Sequence, residues 1–137
     1  MVTVAIMGIV MAAGIVAFSN AQKTARDAKR RADLDAIGKA LEQYYQDNNA
    51  YPTLNADSTN STVISAIGQY FPSGRPPGGG TINGVTRNYQ VRSESSRFCV
   101  HVTTGLETLS GRNCNGGSTV CSFSSSSPIT YCVSSRQ

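Results

Sequence analysis

The sequence lacks tryptophan, has a single histidine (His101), and has no proline before Pro52 and no charged side chain in residues 1–18. Only 15% of its residues are charged, and after residue 53 the acids are Asp57, Glu94 and Glu107 alone. Each gap excludes something. A lone histidine with no partner motif reads as an ordinary strand residue, and neither a serine nor a cysteine lies in a nucleophile motif. Three dispersed acids make no hard-cation cage. Gly78-Gly79-Gly80 lacks the Lys-Ser/Thr that turns a glycine loop into a phosphate cradle. Together these absences argue against an enzyme, a metal site or a bound cofactor. Asn60-Ser61-Thr62 fits a glycosylation pattern but reads as a polar loop.

The four cysteines (Cys99, Cys114, Cys121, Cys132) are confined to the last forty residues, and their spacing contains no C-x-x-C pair. That argues against zinc. An even count in a Ser/Thr-rich region points instead to two disulfides and an oxidising compartment. Three connectivities are open. Phe98-Cys99-Val100 and Tyr131-Cys132-Val133 resemble strand centres, so Cys99–Cys132 across neighbouring strands and Cys114–Cys121 closing a loop are expected. The net charge is +4, with no aromatic-interleaved basic stripe of the kind nucleic-acid binders show. Six scattered arginines leave only a weak, nonspecific attraction to DNA.

What is present divides sharply. The proline-free run predicts one helix from Val2 to about Asn48, closed by Tyr51-Pro52 because the residue before proline avoids the α region. Such a helix is about 70 Å long at ~1.5 Å per residue. The remaining chain would form a globule roughly 30 Å across, so the helix must protrude. Its protruding part is the apolar one: Met1, Val2, Val4, Ile6, Met7, Ile9, Val10, Met11, Ile15, Val16 and Phe18. Leaving these in water forfeits roughly 15–30 kcal/mol, at about 1.5–3 kcal/mol each, more than a typical domain's stability. The segment is therefore expected to be buried in a bilayer, in copies of itself, or in each in turn. It reaches about 27 Å, just short of a hydrocarbon core. It exceeds a signal peptide's usual apolar region and lacks an A-x-A-like cleavage site. Gly8 and Gly14 are expected to let it bend or unwind.

Farther along, Ala21, Ala25, Ala28, Ala32, Ala36 and Ala40 form a small-residue stripe, compatible with close helix approach or with helix propensity alone. Leu34, Ile37, Leu41 and Tyr44 form a larger apolar stripe expected to cover a sheet. The basic collar from Lys23 to Arg31 favours the cytoplasm by the positive-inside rule, whereas the cysteines favour export. The cysteines are followed here, with charges that precede Met1 expected to be missing from this chain. After Pro52 the reading is a polar connection (Leu54 to Thr62), a turn or two of helix around Val63, Ile64, Ile67, Tyr70 and Phe71, and a loop from Pro72. Strands are expected at Asn88–Arg92, Phe98–Thr103 and Ile129–Ser134. The fold class is α+β: residues 1–52 form the long helix (1–22 protruding, 23–52 packed), and residues 53–137 form an antiparallel, disulfide-bearing β-rich head.

An oily helix running into Ala25-Arg26-Asp27-Ala28-Lys29-Arg30-Arg31-Ala32-Asp33-Leu34-Asp35-Ala36-Ile37, then Leu41, Tyr44-Tyr45, Asp47-Asn48 and Tyr51-Pro52-Thr53, resembles the N-terminal helix of type IV pilins. Type II secretion pseudopilins share much of the pattern. The resemblance covers residues 1 to about 53. It implies a structural subunit anchored in the cytoplasmic membrane before assembly, then polymerised with identical subunits into an extracellular filament. It implies a prepilin peptidase and cytoplasmic assembly ATPases as partners, and roles in attachment, twitching movement or DNA uptake. In that family a leader is cut to leave a Phe-Thr-Leu-Ile-Glu-like start. Roughly six mature residues are expected to be absent before Met1. A proline common in the family's helix is replaced by Val16, near Gly14. The alternatives are a pseudopilin, whose head often carries calcium, and a membrane-tethered extracellular binding module in which the helix is only an anchor.

Overall fold

In the computed structural model, which describes residues 2–82, 84–103, 105–108 and 131–135, helix α1 runs unbroken from Val2 to Asn48. It passes through Gly8 and Gly14 without a break in helical backbone. Its end is set by two asparagines. Asn49 adopts the left-handed conformation (φ 55°) and donates its N–H to the Tyr45 carbonyl at 2.7 Å, while the Asn48 amide donates to the Tyr44 carbonyl at 3.0 Å. Asparagine is one of the few residues that tolerates this helix-ending geometry, and Pro52 then prevents continuation.

The rest of the described chain contains β1 (Leu54–Asp57), α2 (Ser61–Ile67), a 3-10 turn (Gly68–Tyr70), β2 (Gly80–Ile82), β3 (Val85–Arg87), β4 (Tyr89–Glu94), β5 (Arg97–Val102) and β6 (Cys132–Ser134). Asn60 caps α2, its side-chain oxygen accepting from the Thr62 N–H at 3.0 Å. Strands β1, β4, β5 and β6 form an antiparallel sheet in that order, and β2 and β3 form a separate hairpin. Three expectations are corrected. The Leu54–Thr62 stretch is not merely a connection: Leu54 and Ala56 face inward and make β1 an edge strand. The β2–β3 hairpin extends from the end of the glycine loop. The last strand is shorter than Ile129–Ser134, with Tyr131 outside it and residues 129 and 130 outside the described residues.

Alternation places one row of side chains against α1. Ala56, Val91, Val100 and Val133 lie side by side across the four strands, flanked by Tyr89, Ser93, Phe98 and Val102. Leu34, Ile37 and Leu41 of α1 are fully buried against this face, as are Val63 and Ile67 of α2. At about 1.5–3 kcal/mol per buried side chain, this apolar contact is the main attachment of helix to sheet. Ala21, Ala25, Ala28 and Ala32 are exposed, and at 3.6 residues per turn they lie on the opposite side of the helix. Ala40 is buried, so the alanine stripe is divided between two environments.

The register also corrects a cysteine pairing. Cys99 lies opposite Ser134, and Cys132 lies opposite His101. The two cysteines share the sheet face turned away from α1, but two residues out of step. Diagonal neighbours sit about 7–8 Å apart at Cα, against roughly 4.4–6.8 Å for a disulfide. The offset disfavours direct Cys99–Cys132 linkage. Cys114 and Cys121 lie outside the described residues.

At Gly38 the helix lies close against the sheet: a Cβ there would meet the Val133 Cγ1 at 2.7 Å, whereas one at Gly8 would meet nothing within 4 Å. Gly38→Val is expected to destabilise the full chain in detergent micelles by about 2 kcal/mol through overpacking. Gly8→Ala is expected to be neutral or to stabilise the helix by up to ~1 kcal/mol. Thermal unfolding followed by circular dichroism reads both.

Candidate functional site

Two neighbouring features of α1 stand apart from the head's core. The first is its apolar end. Val2, Val4, Ile6, Met7, Ile9, Val10, Met11, Ile15 and Phe18 are each between 56% and 73% exposed. At about 100° per residue they spread over roughly 240° of the helix circumference, and the remaining sector holds Ala5, Gly8 and Ala12, so no side of this stretch carries a charge. Met1 and the side chain of Val16 lie outside the described residues. The helix is long and apolar enough to cross a membrane, and none of its apolar window is buried inside the chain. A helix apolar on all sides matches an environment that surrounds it, whereas one partner helix covers only a stripe.

The second feature is the collar where α1 meets the head. Asp27 is the first buried side chain along the helix among the described residues. Its Oδ1 accepts from Arg30 Nη1 at 2.7 Å and from the Glu107 N–H at 3.0 Å. Its Oδ2 accepts from the N–H and the hydroxyl of Thr108, both at 2.8 Å. Glu107 in turn accepts from Arg26 Nε at 3.0 Å and Nη2 at 2.7 Å, a two-pronged pair, and from Arg30 Nη1 at 2.8 Å. Arg31 sits over the Tyr131 ring at 5.7 Å, while Lys23 and Lys29 are exposed. Two of the collar's five basic residues thus share carboxylates with a segment about eighty positions away. The collar lies on the head's side of the apolar segment, fixed there by contact.

Every acid of α1 bonds to the head. Besides Asp27, Asp33 accepts from the Tyr89 hydroxyl at 2.7 Å, Asp35 from Tyr131 at 3.4 Å, Glu42 from Tyr51 at 2.9 Å and Asp47 from Tyr70 at 2.6 Å. Burial, then the Glu42 bond, pushes the Tyr51 hydroxyl up to about 12. Burial and the Asp33 bond raise Tyr89 as well. Both hydroxyls therefore stay protonated and donate at any ordinary pH. Tyr51 is also held between the rings of Tyr45 (4.7 Å between centroids) and Phe98 (5.1 Å).

Of the residues singled out in the sequence, Leu34, Ile37 and Leu41 are core, Tyr44 is half-buried beside it, and the nine described members of the apolar series are exposed. Sequence reasoning missed the Arg26–Asp27–Arg30–Glu107 cluster. A signal was present: Arg26 and Arg30 stand four apart, presenting two guanidinium groups on one helix face. Among the described residues no three His, Cys, Asp or Glu side chains gather as metal ligands would. Comparison with protein-family models, curated proteins and solved structures finds no match for this chain.

Three groups set the acid response: Glu107, His101 and Asp27. Burial of Asp27 is outweighed by the bonds from the Glu107 N–H, Thr108 and Arg30, so its carboxyl stays below the usual carboxylate range. Arg26 and Arg30 hold the Glu107 carboxyl at about 2, below its ordinary 4.5. The stability this carries is complete above pH 4.5 and is lost as pH falls toward 2. Burial, helped by Arg92, holds His101 at about 4 instead of 6.5. The unfolded chain therefore takes up that proton first, and stability declines between pH 6.5 and 4. Melting temperature in detergent micelles is expected to fall continuously from pH 6.5 to 3, and Glu107→Gln is expected to flatten the part below 4.5. A melting temperature that rises on acidification contradicts these assignments.

Proposed function

We propose that this chain is the structural subunit of a type IV pilus, a pilin that is held in the cytoplasmic membrane by residues 1–22 and then polymerises into an extracellular helical filament. The observation that carries this reading is the set of nine large apolar side chains, each more than half exposed, on a stretch of helix that has no charged residue before Lys23 and that its own head does not cover. Lipid and a bundle of identical helices both surround such a rod, so a transfer between them exchanges one apolar environment for another at little net cost. The contact is proposed to repeat head to tail with a rotation that does not close, which builds an open helical filament instead of a ring.

In this arrangement Val2–Phe18 form the filament core, the exposed Ala21–Ala32 face lies toward neighbouring helices, and the sheet bearing β1, β4, β5 and β6 lies outside. Support for keeping the collar with the head comes from the buried bonds of Asp27 and Arg30 to Glu107 and Thr108. A prepilin peptidase, assembly ATPases and the cytoplasmic membrane are the partners this reading brings with it. Exposed Arg92 and Arg97 provide at most weak, salt-sensitive attraction to DNA. The head is proposed to be oxidised, with Cys99 and Cys132 in separate disulfides given their diagonal placement.

Ile9→Asp and Val10→Asp are each expected to abolish filaments seen by electron microscopy while the head remains folded, because a charge in an apolar bundle is costly. Filaments of normal length from either variant contradict the reading. A helix that serves only as an anchor predicts the opposite pattern, with binding activity retained wherever anchoring persists. For the cysteines, titration of the denatured, unreduced chain is expected to find no free thiol, and non-reducing peptide maps are expected to place Cys99 and Cys132 in different bridges.

A further inference from the structure

The charged cluster at the base of the head does a job that neither the apolar rod nor the sheet core explains. After β5 the chain turns at Gly105 (φ 77°), whose carbonyl accepts from Arg87 Nε at 3.2 Å, buries Leu106, and then runs against α1 at Glu107 and Thr108. Six hydrogen bonds join those last two residues to Arg26, Asp27 and Arg30. Both oxygens of Asp27 are filled twice over, which is about the full acceptor capacity of a carboxylate. The attachment is polar and charge-assisted, unlike the apolar contact of Leu34, Ile37 and Leu41 a turn farther along.

We propose that residues 105–108 are a strap latched to α1 by this charge-paired knot, and that the strap opens independently of the sheet. Latched, α1 leaves the head at Arg26. Released, the next ties among the described residues are Arg31 on Tyr131 and Asp33 with Tyr89, five and seven residues farther on, so the helix leaves about 7–10 Å later. The latch thus sets how much helix stands free of the head. Two features make separate opening possible: the knot contains a single apolar anchor (Leu106), and the strap joins the sheet through a glycine turn. Segments held by few apolar contacts open below the global unfolding free energy.

Hydrogen exchange on the full chain in detergent micelles tests this. Glu107→Gln removes the charge and the two-pronged bond, and is expected to speed exchange of the 107 and 108 amides about tenfold or more, while the β4 and β5 amides of Val91 and Val100 keep their rates. Thr108→Val, which deletes one hydroxyl donor, is expected to give a smaller acceleration at the same two amides. Unchanged strap amides in both variants overturn the proposal. So does acceleration of Val91 and Val100 in step with the strap, which makes the knot part of one cooperative core.

Discussion

A sheet of strands no longer than six residues cannot cover a helix of forty-seven. At about 3.3 Å per residue such strands span roughly 20 Å, while α1 extends about 70 Å. That mismatch organises the molecule. The head takes one face of the helix from Arg26 onward, and the described side chains before it are all exposed. The uncovered residues are also the most apolar in the chain, so the fold of the isolated subunit is completed only by surroundings that it does not supply.

Where the helix is covered, two kinds of contact share the work unequally. Leu34, Ile37 and Leu41 exclude water entirely and carry most of the free energy. The acids at 27, 33, 35, 42 and 47 lie along its length and each take a hydrogen bond from the head, mostly from tyrosine hydroxyls. Each such bond, made to a charged carboxylate, contributes about 1.5–3 kcal/mol net where buried and less where it is exposed. Their effect is directional: slipping or rotating the helix by one residue would misplace all five donors together. Apolar burial holds the helix on the sheet, and the acids fix its register.

Much of this architecture was legible in the residues. The absence of proline before Pro52 marked the length of α1, and strands expected at Asn88–Arg92 and, by alternation, at Phe98–Thr103 fell within one or two residues of β4 and β5. Leu34, Ile37 and Leu41 announced the packed face by their spacing. The rest was hidden for physical reasons. Leu54-Asn55-Ala56-Asp57 is a strand only because its neighbour β4 supplies a ladder, and its own residues have little β preference. The β2–β3 hairpin, rich in glycine and threonine, carries too weak a pattern to separate from a loop. Glu107 looked isolated because its partners are about eighty residues earlier, and the tyrosine–acid pairs span from nine to ninety-six positions. Local pattern reports which face is buried; it does not report which polar groups meet across the fold. The diagonal offset of Cys99 and Cys132 is likewise a property of strand register, which flanking residues do not encode.

The dependence of the apolar helix on outside partners is most directly tested by sedimentation velocity of the full, unmodified chain after detergent is removed. Large assemblies in buffer, converting to a single small species once detergent micelles or lipid vesicles are restored, are the result expected of a rod that must be surrounded. A monodisperse monomer in plain buffer, with Ile9, Val10 and Phe18 protected from solvent labelling, contradicts it.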